Sequence, residues 1–163
     1  MLNNRDFTRE KIDIVNDAID RCERFLNIGG SIVFDIDDRV KGVDLDLTKF
    51  VIHLSPIFIL NANKHSIYRI IFKSVRIIYQ AMEIELKSYK NLFKYYDIEK
   101  IDLWKVEHQN YHRIKNKKYD FLIDAEVFSI LLMEYYFSFE YEKDKEIEER
   151  IKYFNNIFKN LLN

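Results

Sequence analysis

The chain has 163 residues, of which 48% are hydrophobic and 33% charged, and this composition suits one domain over residues 1–163 with a sizeable core. The formal net charge of −1 argues against a general attraction to nucleic acid or to anionic lipid. A single cysteine, Cys22, excludes an internal disulfide, and no apolar run approaches the ~20 residues that span a bilayer, so we expect a cytoplasmic protein without a membrane segment.

The first predicted element is an amphipathic helix. Apolar residues recur at helical spacing from Ile12 to Leu26, and the pair Gly29-Gly30 is expected to end the helix. Cys22 falls among the apolar positions, so we interpret it as a small core residue rather than a nucleophile.

Three short segments then alternate between apolar and polar residues, at 31–37, 42–47 and 49–55. Such period-two runs predict a small antiparallel sheet of about three strands, arranged as a meander with one buried face. His53 falls on the outward face of its strand. Five aspartates lie between Asp35 and Asp46, but they lack the loop-and-glutamate spacing of an EF-hand. We interpret them as solvent-facing strand and turn residues.

From His65 onward the apolar spacing is helical. It predicts helices over 65–93, 98–112 and 120–140, and a C-terminal helix over 144–162. The fold class is therefore α+β, with a helix and a small sheet followed by a predominantly helical C-terminal half.

The middle of the chain is basic. Residues 61–120 hold 13 basic and 7 acidic residues, a net charge of +6. Polar side chains follow one another at helical spacing along the predicted helix 65–93: His65, Arg69, Lys73, Arg76, Gln80 and Lys87. Two interpretations remain open. The row is a solvated helix face, or Arg69, Lys73, Arg76 and Gln80 form a binding stripe for an acidic protein or, less favoured, for nucleic acid.

A second pattern occurs in the predicted helix 120–140, where Asp124-Ala125 is followed by Phe128 and by Leu131-Leu132-Met133. Together with Arg76, Tyr79 and Gln80, and with the helix–strand–hairpin order that precedes them, this pattern resembles the ImmA/IrrE-type metallopeptidases. The resemblance covers about residues 10–137. It implies a zincin-like scaffold, in which a helix behind a small sheet carries an H-E-x-x-H motif.

The resemblance also implies which positions belonged to the zinc site. The two histidine positions hold Lys73 and Ile77, the general-base position holds Ser74, and the third-ligand position holds Leu122. An ammonium group repels a cation and an isoleucine has no lone pair to donate, so we expect a vestigial site without metal, cofactor or catalytic residue. Asp124 is the acidic residue kept beside it. We expect Ile77 and Leu122 to touch within about 4.5 Å and close the former site.

Two functions follow from these observations. The first is a catalytically inactive, metallopeptidase-like protein that binds another protein, as a regulator or an inhibitor of a host factor such as a defence nuclease. Abundant Ile, Asn, Lys, Phe and Tyr resemble AT-rich codon usage, which points to a low-GC bacterium or its phage or mobile element. The alternative is an active hydrolase with relocated residues, because His108 and His112 stand four apart with Glu107 adjacent.

Overall fold

The computed structural model describes residues 4–83, 121–137 and 141–162. The chain divides into two compact units, Met1–Met82 and Glu83–Asn163. The single domain over 1–163 stays a prediction.

Helix α1 of the first unit spans Asn4–Leu26 and buries the apolar face that its spacing predicts. The helix ends before the two glycines, so the predicted stop at Gly29-Gly30 was wrong. Asn27 adopts φ 56°, its N–H donates to the Arg24 carbonyl at 3.2 Å, and the next N–H donates to the Glu23 carbonyl at 3.0 Å. Asparagine tolerates this left-handed conformation, so it ends the helix in place of glycine.

Three strands follow, β1 at Val33–Ile36, β2 at Val43–Asp46 and β3 at Val51–Leu54. Their order in the sheet is β1-β3-β2, with β1 parallel and β2 antiparallel to β3. A small three-stranded sheet after an N-terminal helix is confirmed, whereas the wholly antiparallel meander was wrong. Ile52 and Leu54 are completely buried, and the strand that carries them lies at the centre of the sheet.

Two helices complete the described part of the first unit, α2 at Pro56–Asn61 and α3 at Lys64–Glu83. The sequence did not predict α2. Its start is marked by Ser55, whose hydroxyl accepts a hydrogen bond from the Phe58 N–H at 3.5 Å, and by proline in its first turn. Helix α3 matches the described part of the prediction for 65–93, since residues from 84 lie outside the described ranges.

Helix α3 is buried on all sides over most of its length. Between Ile67 and Gln80 every residue is buried except Arg69, which is half-buried. A helix with one solvated face would bury only a stripe of its residues. The interpretation of its polar row as a solvated face was therefore wrong for Lys73, Arg76 and Gln80. His65 is exposed, and Lys87 lies outside the described residues.

The second unit contains α4 at Phe121–Phe137 and α5 at Tyr141–Leu162, which pack against each other. Ile147, Ile151 and Phe154 form the buried side of α5 at helical spacing. The predicted helices 120–140 and 144–162 are confirmed, the second beginning three residues early, and so is the α+β class. The predicted helix 98–112 lies outside the described residues. None of the helices in the described ranges combines the length and apolar character that crossing a bilayer requires.

A polar network joins α1 to α3. The Tyr68 hydroxyl donates a hydrogen bond to the Asp17 carboxylate, which also pairs with the Arg21 Nε at 2.8 Å. The Arg21 guanidinium lies 5.7 Å from the centre of the Tyr68 ring. Burial, then the hydrogen bond to Asp17, raises the pKa of Tyr68 to about 12.

We expect Tyr68→Phe to lower the free energy of unfolding by about 1–3 kcal/mol, because it removes a hydrogen bond to a charged group. The tyrosine pKa in the folded state lies above its ordinary value of 10.0. The contribution is therefore complete below pH 10 and is lost as the pH rises towards 12. Urea unfolding of wild type and variant at about pH 8 and pH 11 measures both effects, with the exposed Tyr153→Phe as the matched control. Equal stability of Tyr68→Phe and Tyr153→Phe at pH 8 would contradict the prediction.

Candidate functional site

The positions that the resemblance assigns to a zinc helix lie in the middle of α3. Lys73, Ser74 and Ile77 are all buried. The Ser74 hydroxyl donates to the Ile70 carbonyl one turn earlier, at 2.7 Å. Serines inside helices commonly bond their own backbone in this way. This hydroxyl is therefore held by the helix itself.

The two remaining positions of the vestigial site lie on α4, in the second unit. Leu122 is half-buried and Asp124 is buried. The expected contact of Ile77 with Leu122 joins the two units and stays a prediction. The relocated set of Glu107, His108 and His112 lies outside the described residues.

The possible binding stripe on α3 is not a surface. Lys73, Arg76 and Gln80 are buried, and Arg76 is the largest fully buried side chain among the described residues. Its guanidinium lies 5.5 Å from the Tyr79 ring centre. The stripe was therefore a wrong prediction for these three residues, because a partner meets only exposed side chains. A binding site for nucleic acid on α3 loses its basis with them.

A different cluster lies on the outward face of the sheet. Asp35 on β1 stands directly beside His53 on β3, and Asp37 follows the end of β1. The His53 Nδ1 lies 3.5 Å from the Asp35 Oδ2 and 4.0 Å from the Asp37 Oδ2. One ligand atom from each of the three residues lies within 4.8 Å of the other two. Two carboxylates and an imidazole thus meet at one point of the sheet.

The Asp37 carboxylate is held by Arg39. The Arg39 Nε donates to Asp37 Oδ1 and a terminal guanidinium nitrogen donates to Oδ2, both at 3.0 Å, and the Arg39 backbone N–H donates to Oδ1 at 2.9 Å. The hydrogen bonds from the Arg39 side chain, then those from its backbone, lower the pKa of Asp37. The carboxylate is ionised at neutral pH and its orientation is fixed.

Two further aspartates share the face, but each accepts hydrogen bonds from backbone N–H groups close to it in sequence. Asp44 on β2 stands on the other side of His53, and its Oδ1 accepts from the Leu45 N–H at 3.0 Å. The Asp46 carboxylate accepts from the backbone N–H groups of Thr48 and Lys49, at 3.0 and 2.9 Å. The hydrogen bond from Lys49 is the main reason that the pKa of Asp46 is lowered. These carboxylates already have backbone donors.

The alternation of residues 49–55 predicted that His53 lies on an outward face, but it did not predict that His53 lies beside Asp35. In a meander of three strands the first and third strands are not neighbours. Only the order β1-β3-β2 makes Asp35 and His53 a cross-strand pair. The sequence does contain Asp-x-Asp at the end of one predicted strand and a histidine on a later one. This pattern does not indicate a site unless the strand order is known.

Two other titratable groups of the first unit are buried. Burial raises the pKa of the Cys22 thiol well above its ordinary value, and its Sγ lies 3.8 Å from the Phe72 carbonyl oxygen. The Glu23 carboxylate accepts from the Ser31 N–H at 3.2 Å, and burial raises its pKa. Cys22 is the core residue that its spacing predicts. A low pKa would be needed for a reactive thiol.

The chain matches no protein-family model, no curated protein and no solved structure.

Proposed function

We propose that this chain is a catalytically inactive relative of the ImmA/IrrE-type metallopeptidases that acts by binding another protein. The observation that carries the proposal is the burial of three α3 side chains that cannot bind zinc. Lys73, Ser74 and Ile77, at the positions where the resemblance puts H-E-x-x-H, are buried and offer no neutral nitrogen or carboxylate. A zinc ion needs three such donors and an open position for water or substrate.

Exposed apolar side chains support a binding role. Ile57 is 70% and Leu60 42% exposed, and the two lie one turn apart on α2. Apolar side chains of this size contribute to protein interfaces when they occur together. The partner we propose is a regulator or a host factor, such as a defence nuclease, with the chain encoded by a phage or mobile element.

A second candidate is a hydrolase that uses Glu107, His108 and His112. The spacing of the two histidines favours it, because residues four apart on a helix reach the same ion. Metal content and activity separate the two candidates.

The purified chain is expected to hold no stoichiometric zinc at α3, because both histidine positions and the third-ligand position have lost their donors. Elemental analysis of protein purified without chelator measures this. The measurement is repeated on His53→Gln and on His108→Ala/His112→Ala. About one zinc per chain that survives in both variants would contradict the prediction, and zinc lost only from His108→Ala/His112→Ala would favour the hydrolase.

The binding role is tested by co-purification from the bacterium in which the chain is naturally expressed. Wild type is compared with Ile57→Lys/Leu60→Lys, whose changes lie at exposed positions and leave the core intact. We expect one host protein at comparable molar amount with wild type and much less with the variant. Hydrolysis of the captured protein, or no stoichiometric partner, would count against the proposal.

A further inference from the structure

The cluster on the outward face of the sheet contains three residues with atoms that metals bind. Asp35 and Asp37 supply carboxylate oxygens and His53 supplies a ring nitrogen. Each of the three is positioned by a different part of the fold. Asp35 lies in β1 where this strand pairs with β3, and His53 lies in β3 itself. The Asp37 carboxylate is held by the two hydrogen bonds from the Arg39 guanidinium. Their approach to one another is therefore built into the fold.

The His53 nitrogen is the second observation that points to a ligand. Its Nδ1 atom is covered by protein, and within the described part of the chain it makes no hydrogen bond, although the side chain as a whole is 25% exposed. The atom faces the carboxylate oxygens of Asp35 and Asp37, at 3.5 and 4.0 Å. At 3.5 Å the nearer of these oxygens is too far for a well-formed hydrogen bond. A covered polar atom that makes no hydrogen bond costs free energy, and an ion between the three groups would satisfy it.

We infer that Asp35, Asp37 and His53 bind a divalent first-row transition-metal cation, such as Zn²⁺ or Mn²⁺. An ion about 2.0–2.2 Å from each of three donors separates those donors by roughly 3–4 Å, so small side-chain movements bring the cluster to bonding distance. Two carboxylates bring a charge of −2 to the ion, part of which the Arg39 guanidinium offsets at Asp37. The imidazole distinguishes these metals from Ca²⁺ and Mg²⁺, which prefer oxygen.

Arg39 is compatible with an ion at Asp37. A carboxylate has about four lone-pair sites, and Arg39 uses both oxygens without filling them. Ligating carboxylates are commonly hydrogen-bonded by such neighbours, which fix their orientation. In this site Arg39 is a positioning residue.

This site is separate from the positions on α3 that the proposed function concerns. Three protein ligands leave coordination positions open to water, and Asp35 is exposed. We therefore expect an exchangeable ion rather than one retained through purification. If the titrations show no cation site, the proposed binding of another protein is unaffected. If no binding partner is found, the cation site is unaffected.

The test is titration of the full chain, freed of metal by chelator and dialysis, with Zn²⁺ by calorimetry and with Mn²⁺ by the loss of its free-ion electron paramagnetic resonance signal. All titrations use the background His108→Ala/His112→Ala, which removes the closely spaced histidine pair of the alternative hydrolase. We expect one ion per chain. Asp35→Asn and His53→Gln should each weaken binding about tenfold or more, and Ca²⁺ at equal concentration should not compete.

Asp44→Asn is the matched control, because it removes the same charge from the same face beside His53, but from a residue that does not belong to the group of three whose ligand atoms lie within 4.8 Å of one another. It should change the affinity less than about threefold, as expected of a screened surface charge. Thermal unfolding without metal checks that each variant folds, and Asp35→Asn at an exposed position is expected to do so. If His108→Ala/His112→Ala without a further change does not bind metal at 1 mM, the inference is overturned. Equal weakening of metal binding by Asp35→Asn and Asp44→Asn would also overturn it, because it would indicate attraction to the acidic face alone.

Discussion

Replacing Arg76 with alanine is expected to lower the free energy of unfolding by about 3–5 kcal/mol. The side chain is 0% exposed and is the largest fully buried one among the described residues. Its guanidinium lies near the Tyr79 ring, and its charge acts on the buried thiol of Cys22. Alanine leaves a cavity and deprives the groups around the guanidinium of their interaction, and both effects destabilise the folded state.

Chemical unfolding of wild type and Arg76→Ala measures the change, with Arg69→Ala as the matched control. Arg69 lies two turns earlier on the same helix and is half-buried, so its replacement should cost less than about 1 kcal/mol. Arg76→Met keeps most of the volume and removes the charge together with the N–H donors of the guanidinium. If Arg76→Ala and Arg69→Ala were equally stable, the interior position of α3 would be contradicted.

Ile77→Ala is expected to lower the free energy of unfolding by about 2–5 kcal/mol, because the removed methyl groups leave a cavity that the core only partly fills. Ile77 is buried in the middle of α3, where the resemblance places the second zinc histidine. An isoleucine that packs as core there fits a site closed to metal and substrate. Ile57→Ala, on the exposed side of α2, is the control and should cost less than about 0.5 kcal/mol.

A cost for Ile77→Ala no larger than that for Ile57→Ala would show that the region is loosely packed. The positions that the resemblance assigns to the zinc site would then not be closed by packing. That outcome would count against the proposed loss of catalysis, because a loosely packed polar region is where substrate and water gain access.

Local sequence patterns predicted most of the helices and strands, but they did not predict which strands pair with each other. Alternation in 31–37 and 49–55 predicts two strands and their faces, because side chains on a strand point to opposite sides in turn. The same alternation is compatible with any strand order. Ile52 and Leu54 mark the buried face of β3, but whether β3 pairs with β1 or only with β2 depends on the packing of the whole unit.

The polar row on α3 illustrates a second limit. Its spacing correctly placed Lys73, Arg76 and Gln80 along one line of a helix. Long charged side chains at that spacing usually lie in water, so the sequence favoured a surface. The structure buries them, because a helix can be interior on all sides when its polar groups find partners there. Only tertiary contacts distinguish these two situations.

The strand order also bears on how the sheet assembles. Asp46 and Val51, which pair in the β2–β3 hairpin, are close in sequence, whereas Val33 and Val51, which pair between β1 and β3, are 18 positions apart. Short loops close at a smaller entropic cost than long ones, so the hairpin is favoured to form first and β1 to join it afterwards. His53 reaches its place with the hairpin, and the two carboxylates reach theirs with β1. The cation cluster is therefore completed only in the last step of sheet formation, and a fluctuation that detaches β1 would release its ion without unfolding the hairpin.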